Sequence, residues 1–284
     1  MTRLLAAVVV GYLAARLAWL AARPLFALPA LARHNYRGRP LPTAAGIVLP
    51  LAALVVEGGR AVAGSLGLGD AAGIPVPGTE TVRALVLLAA LGFGLLGLVD
   101  DLAGGADHGF RGHLAAAAGG RLTTGALKLV GGGVLAVVVV APLAGESPGR
   151  LVADACLVAL CANLANLLDR APGRTVKASL GAFAALALAA ARTGALSGTA
   201  VVVGAALGLF LDDLHERIML GDAGSNVLGA VLGVGVVAAC GPTARDVVLL
   251  STAALNLAGE LVSFSRVIEA VPPLRAVDRA GRRP

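Results

Sequence analysis

The run Val134-Leu135-Ala136-Val137-Val138-Val139-Val140-Ala141 is apolar at every position and nowhere alternates. A strand of a membrane barrel would alternate, because one of its faces meets lipid and the other meets the lumen. A helix satisfies its own backbone and can be apolar on all sides in hydrocarbon. The run therefore reads as part of a membrane helix, within a stretch at 127–144. About 20 apolar residues let a helix cross roughly 30 Å of hydrocarbon. Working outward, comparable stretches fall at 4–22, 44–64, 82–99, 151–168, 177–191, 196–211, 224–240 and 246–262. Glu57 and Arg60 interrupt the second, and the sixth and seventh are short, parted only around Arg192 to Ser197. The expected fold is an all-α membrane protein: a polytopic bundle of about nine transmembrane helices, with eight to ten tolerated. It forms a single membrane domain over 1–284, with 263–284 as a basic tail.

Composition points the same way. The chain is 57% hydrophobic and 14% charged, with a mean hydropathy of +0.86. That leaves too few charges to coat a soluble domain of 284 residues. Its 39 glycines suit a bundle whose helix backbones approach closely. Arg3 followed by Leu4 to Val10 imitates a secretory signal, but the further spans favour a retained first helix. Cys156, Cys161 and Cys240 lie in or beside apolar runs and read as packing residues, not as a disulfide framework or metal site.

The net charge of +6 speaks to orientation more than to nucleic acid, and no nucleic-acid partner is expected. Arg33, Arg37 and Arg39 fall in one inter-span segment, and Arg111, Arg121 and Lys128 in the next of the same parity. Arg170, Arg174 and Lys177 follow, then Arg217, then Arg266, Arg275, Arg279, Arg282 and Arg283 in the tail. Together they hold 15 of the 23 basic residues. The opposite set holds only Arg3, Arg60, Arg83, Arg150, Arg192 and Arg245. Positive-inside bias makes the richer set cytoplasmic, with the N-terminus outside and the C-terminus inside.

The unusual polar clusters fall in or beside that same set. Asp100 and Asp101 directly follow the apolar run Leu91 to Val99. They are either a solvated helix end or two carboxylates that need a cation close by. Asn163, Asn166 and Asp169 recur every third residue, which places them on one broad side of a helix. Arg170, Arg174 and Lys177 come next, suited to phosphate but also to plain positive-inside bias. Asp212, Asp213, His215 and Glu216 open a further segment, with His215 either an interfacial histidine or a substrate contact. Leu220-Gly221-Asp222-Ala223-Gly224-Ser225 closes it, where glycines allow close backbone approach and a helix N-terminus offers N–H groups to an anion. Asn35 to Gly46 is rigid, basic and glycine-flanked, either a turn or a clamp on a phosphorylated substrate.

In this order the segments resemble the polyprenyl-phosphate N-acetylhexosamine-1-phosphate transferase superfamily, from about Asn35 to Gly229. Arg39-Pro40-Leu41-Pro42-Thr43 through Gly46 is similar to that family's basic Pro-Thr-x-Gly-Gly loop. Gly97-Leu98-Val99-Asp100-Asp101 is similar to its Asp-Asp motif, and Lys128 to the lysine opening the following helix. Asn163-Leu164-Ala165-Asn166-Leu167-Leu168-Asp169 is similar to its Asn-x-x-Asn-x-x-Asp motif, and Leu220 to Ser225 to its Met-Gly-Asp-x-Gly-Ser motif. The resemblance implies a Mg2+-dependent enzyme of the bacterial plasma membrane, serving cell-envelope glycan synthesis and admitting a homodimer. Its partners would be a UDP-sugar and a polyprenyl phosphate lipid, with sugar-1-phosphate transferred and UMP released. It implies Asp222 and Asp100 as metal ligands. Asp100, Asp101 and Asp169 would be catalytic carboxylates. Arg39, Lys128, Asn163, Asn166, Arg170, Arg174 and His215 would be substrate contacts.

The chain departs from the pattern at one place. The family commonly continues Asp-Gly-x-Asp-Gly where this sequence reads Asp169-Arg170-Ala171-Pro172-Gly173, so Pro172 replaces the second aspartate. The histidine-rich loop of the pentapeptide-transferring members is also missing after residue 240, which favours an N-acetylhexosamine-1-phosphate type. Two rivals remain: a non-catalytic relative that binds lipid phosphate or assists assembly, and a transporter, which would place polar groups near the midplane.

Overall fold

The computed structural model describes residues 2–68, 79–103, 124–145 and 147–283. Arg111 and Arg121, which count toward the expected orientation, lie outside the described residues. Among the described residues eleven α-helices occur: α1 (Thr2–Phe26), α2 (Val48–Ser65), α3 (Thr79–Ala103), α4 (Thr124–Val140), α5 (Pro148–Leu168), α6 (Arg174–Ala189), α7 (Ser197–Leu214), α8 (Asp222–Ala239), α9 (Pro242–Leu261), α10 (Phe264–Ala270) and α11 (Pro272–Arg279). Between α1 and α2, strands β1 (Ala32–His34) and β2 (Pro40–Pro42) pair antiparallel, with Arg33 opposite Leu41.

Each of the nine expected stretches contains a helix, but nine spans is not the count that results. Among the described residues, seven helices are long and apolar enough to cross a membrane, and α9 with α10 adds an eighth if that pair, bent by 94°, is taken as one. The shortfall lies at α6, whose 16 residues rise only ~24 Å. It ends at Ala189, where extended backbone at Ala190 leads into the short turn Thr193–Leu196.

Helix α8 runs through the centre and is buried along nearly its whole length. Small residues make that position tenable. A Cβ on Gly229 would lie 2.1 Å from the Cys161 carbonyl oxygen, and one on Gly233 would lie 2.9 Å from Val158 Cα, so α5 packs backbone to backbone. Likewise α1 and α7 cross so closely that a Cβ on Gly11 or Gly204 would sit 2.0 Å from the carbonyl of Val201 or Val8. Lipid supplies little hydrophobic drive between helices, and such contacts hold a bundle through van der Waals packing. Successive long helices alternate in direction. The β-hairpin, the α5–α6 and α7–α8 loops and the tail consequently gather at one end of the bundle, called the site end below.

At the other end, Asp154 is fully buried between Arg150 (2.8 Å) and Arg245 (2.9 Å), and Arg150 also meets Asp246 at 2.6 Å. This cluster fastens the start of α5 to the start of α9. Midway along the same seam Asn256 donates to the Leu160 carbonyl at 3.0 Å.

Candidate functional site

The site is organised around the first turn of α8. A helix start leaves N–H groups without partners, and Gly221, at φ +71° before α8, has no side chain with which to cap them. Asp101, at the end of α3, supplies the cap from outside: Oδ1 accepts from the Asp222 N–H and Oδ2 from the Ala223 N–H, both at 3.0 Å. Gly97, one turn earlier on α3, makes the approach feasible, since a Cβ there would lie 2.2 Å from the Asp222 carbonyl oxygen. The β-hairpin closes the other flank, with the Gly46 N–H donating to the Leu220 carbonyl at 2.9 Å and the Met219 N–H to Pro42 at 2.8 Å.

With Asp101 so engaged, Asp100 and Asp222 point to a common cavity of about 510 Å³. The Lys128 ammonium, from the first turn and a half of α4, bonds Asp222 directly and lies 3.5 Å from Asp100 Oδ2. Asn163, Asn166, Asp169, Arg170, Asn226 and Glu260 are its other polar lining residues, and Phe93, Leu96, Leu129, Gly132 and Ala159 are among its apolar ones. The asparagines are tied to neighbours. Asn163 Nδ2 donates to Asn256 Oδ1 at 2.6 Å, Asn166 Nδ2 to Ser225 Oγ at 3.3 Å, and Asn226 Nδ2 to the Asp222 carbonyl at 2.8 Å.

A second cavity of about 260 Å³ adjoins the first and is lined by the hairpin residues His34 to Tyr36, the α5–α6 loop and the α7–α8 loop. Asp169, Arg170 and Asp222 line both cavities. Asp169 is half-buried between the two cavities. This burial, and then the Asp213 carboxylate beside it, hold the Asp169 carboxyl well above the usual carboxylate range. Asp213 accepts the Gly173 N–H at 2.8 Å and so fixes the α5–α6 loop. Pro172 also lines this second cavity.

The structure thus brings together Asp100, Lys128, Asn163, Asn166, Asp169, Arg170 and Asp222, and places Asp101 directly behind them. It does not bring in the other expected contacts. Arg39 is exposed on the hairpin, its backbone N–H bonded to Asn35 Oδ1 at 2.9 Å. Arg174 turns toward the tail, paired with Asp278 at 2.8 Å and with Ser265 at 2.9 Å. His215 lines neither cavity, and its buried Nδ1 has no hydrogen-bond partner among the described residues. Asn226, Asn256 and Glu260 are the additions that sequence reasoning missed. Asn226 directly follows Ser225 and was within reach of the motif; Asn256 and Glu260 are isolated polar residues whose relevance only the helix packing discloses.

Among the described residues no group of three His, Cys, Asp or Glu side chains is placed to cage a metal. Mg2+ seldom needs one, since it keeps several waters and commonly takes one or two carboxylates plus substrate phosphates. Asp100 and Asp222, already sharing a cation in Lys128, fit that mode. Compared with protein-family models and with curated proteins, the chain matches none. The functional reading rests on the site.

Proposed function

We propose that this protein transfers a sugar-1-phosphate from a UDP-sugar to a polyprenyl phosphate at one membrane face. The observation that carries the reading is Lys128 set between Asp100 and Asp222 in a cavity lined by both apolar and polar residues. A lipid phosphate needs both kinds of lining, and two phosphates can meet only where cations offset their charge. The prenyl chain lies along Phe93, Leu96 and Leu129, with its phosphate at Lys128. The nucleotide enters the second cavity, and its diphosphate reaches the first where Asp169, Arg170 and Asp222 are shared. A lipid phosphate oxygen attacks the phosphorus that bears the sugar, the diphosphate P–O bond breaks, and UMP departs with the bonding pair. Mg2+, held by Asp100 and Asp222 with substrate oxygens, would neutralise charge on the transferring group. Asp169, with its elevated carboxyl, retains a proton more readily than an ordinary aspartate and can donate it to a phosphate oxygen. Asp101 positions the first turn of α8.

The test is UMP release by the purified chain from a panel of UDP-sugars, with undecaprenyl phosphate and with or without Mg2+. Metal-dependent UMP plus a lipid-linked sugar diphosphate in the mass spectrum supports transfer. Pro172, lining the nucleotide cavity where the resemblance expects an aspartate, favours one second reading, a lipid-phosphate binder without turnover. Retained binding of undecaprenyl phosphate with no UMP across the panel would select it.

A further inference from the structure

A third cavity, of about 530 Å³, lies at the site end between the β-hairpin, the α5–α6 loop and the tail, and shares Tyr36, Arg170 and Ala171 with the second. Six arginines line it: Arg37, Arg170, Arg174, Arg279, Arg282 and Arg283. Among the described residues, two carboxylates, Glu269 and Asp278, line it with them. Asp278 is shared by Arg174 and Arg282, Glu269 pairs with Arg279 at 2.6 Å, and Arg37 turns to Glu216 at 3.3 Å. Arg170 and Arg283 have no carboxylate in ion-pair reach among the described residues. The described walls of the cavity therefore carry a net positive charge, and its complement is an anion.

Its position indicates which anion. The chain bends by 94° between α9 and α10, so α10 turns across the end of the bundle instead of continuing α9. Lys177, at the site end of the short, peripheral α6, fixes α11 by donating to the carbonyls of Val277 (3.0 Å), Asp278 (2.9 Å) and Ala280 (2.7 Å). The outward side of this tail exposes Val267 (41%), Leu274 (48%) and Val277 (63%). Exposed apolar side chains beside a basic cavity, on short helices lying across a membrane face, match the lipid–water boundary, where phosphates sit above acyl chains. A purely soluble anion would leave those apolar residues unaccounted for.

We infer that this arginine cavity binds the headgroup phosphate of an anionic membrane phospholipid, while the exposed valines and leucine of the tail contact its acyl chains. The inference rests on the bundle lying in a membrane and not on the transfer reading. The test uses the full chain in detergent, titrated with phosphatidylglycerol, with phosphatidylcholine and with inorganic pyrophosphate, and bound species are counted by native mass spectrometry. Wild type should prefer phosphatidylglycerol to phosphatidylcholine. The double variant Arg279→Gln, Arg283→Gln should lose that preference about thirtyfold, each arginine near an anionic surface being worth roughly a fivefold factor. Arg279→Lys with Arg283→Lys should restore it, which separates lost charge from a disturbed tail. Equal preference in wild type and the glutamine variant, or failure of the lysine pair to rescue, would overturn the inference. So would tighter binding of pyrophosphate that the glutamine variant abolishes, since the cavity would then serve a soluble polyanion.

Discussion

Asp100 and Asp101 are neighbours with opposite duties. Consecutive residues on a helix point about 100° apart, so one carboxylate faces the cavity while the other caps α8. Replacing Asp101 with Asn puts an amide N–H where a backbone N–H now finds an acceptor. Leaving such a donor unsatisfied costs about 1–3 kcal/mol. Thermal denaturation in detergent should register that loss for Asp101→Asn and much less for Asp100→Asn; equal melting temperatures would refute the capping role. Asp222→Asn should leave melting unchanged and remove metal-dependent UMP release, and retained turnover would place the metal elsewhere. The pairing of carboxylates is visible in the sequence, while their meeting with Asp222 was implied only by the family resemblance. Which aspartate turns inward depends on where α8 begins relative to α3, and local spacing does not contain that.

Between elements, the glycines decide what can touch. A methyl at Gly97 would have to displace the backbone of Asp222, whereas one at Gly58 on α2 would meet open space. Gly97→Ala should therefore cut turnover at least tenfold by shifting the first turn of α8. Gly58→Ala should leave turnover intact and raise stability by up to ~1 kcal/mol through helix propensity. Assays of UMP release and melting on both variants check the pair, and an active Gly97→Ala enzyme would deny the close crossing any functional weight. Apolar runs were enough to locate the helices, because a membrane span must be long and unbroken. The number of spans was harder to read: α6 stops after 16 residues, and α9 qualifies as a span only together with α10, across a 94° bend. Arg39 and Arg174 show the same limit at the site, since motif order places them near it while Arg39 stays exposed on the hairpin and the tail draws the Arg174 side chain away.

At the scale of the whole molecule, charged residues join parts far apart in sequence. Burial would raise the Asp278 carboxyl, but the guanidinium groups of Arg174 and Arg282 overcome that and hold it below the ordinary range. A depressed folded value means that the ion pair's stabilisation is complete above the unfolded carboxylate value near 3.9 and is lost as pH falls through the folded one. Limited proteolysis of the tail should accordingly be flat from neutral pH down to about 5 and rise only under stronger acid; release near neutrality would contradict the pairing. At the opposite end of the bundle, Asp154→Ala would leave Arg150 and Arg245 without their shared counter-charge and should cost about 3–5 kcal/mol. Converting both arginines to Met in the same variant should recover most of that, which a denaturation series would show.

The Asp154 cluster also bears on the order of biosynthesis. Asp154 leaves the ribosome 91 residues ahead of Arg245, so α5 must enter the bilayer before its later counter-ion has been translated. Arg150, one turn away on the same helix, already neutralises the carboxylate at 2.8 Å and can chaperone it through that interval. The arrival of α9 then completes a charge pair that insertion had begun.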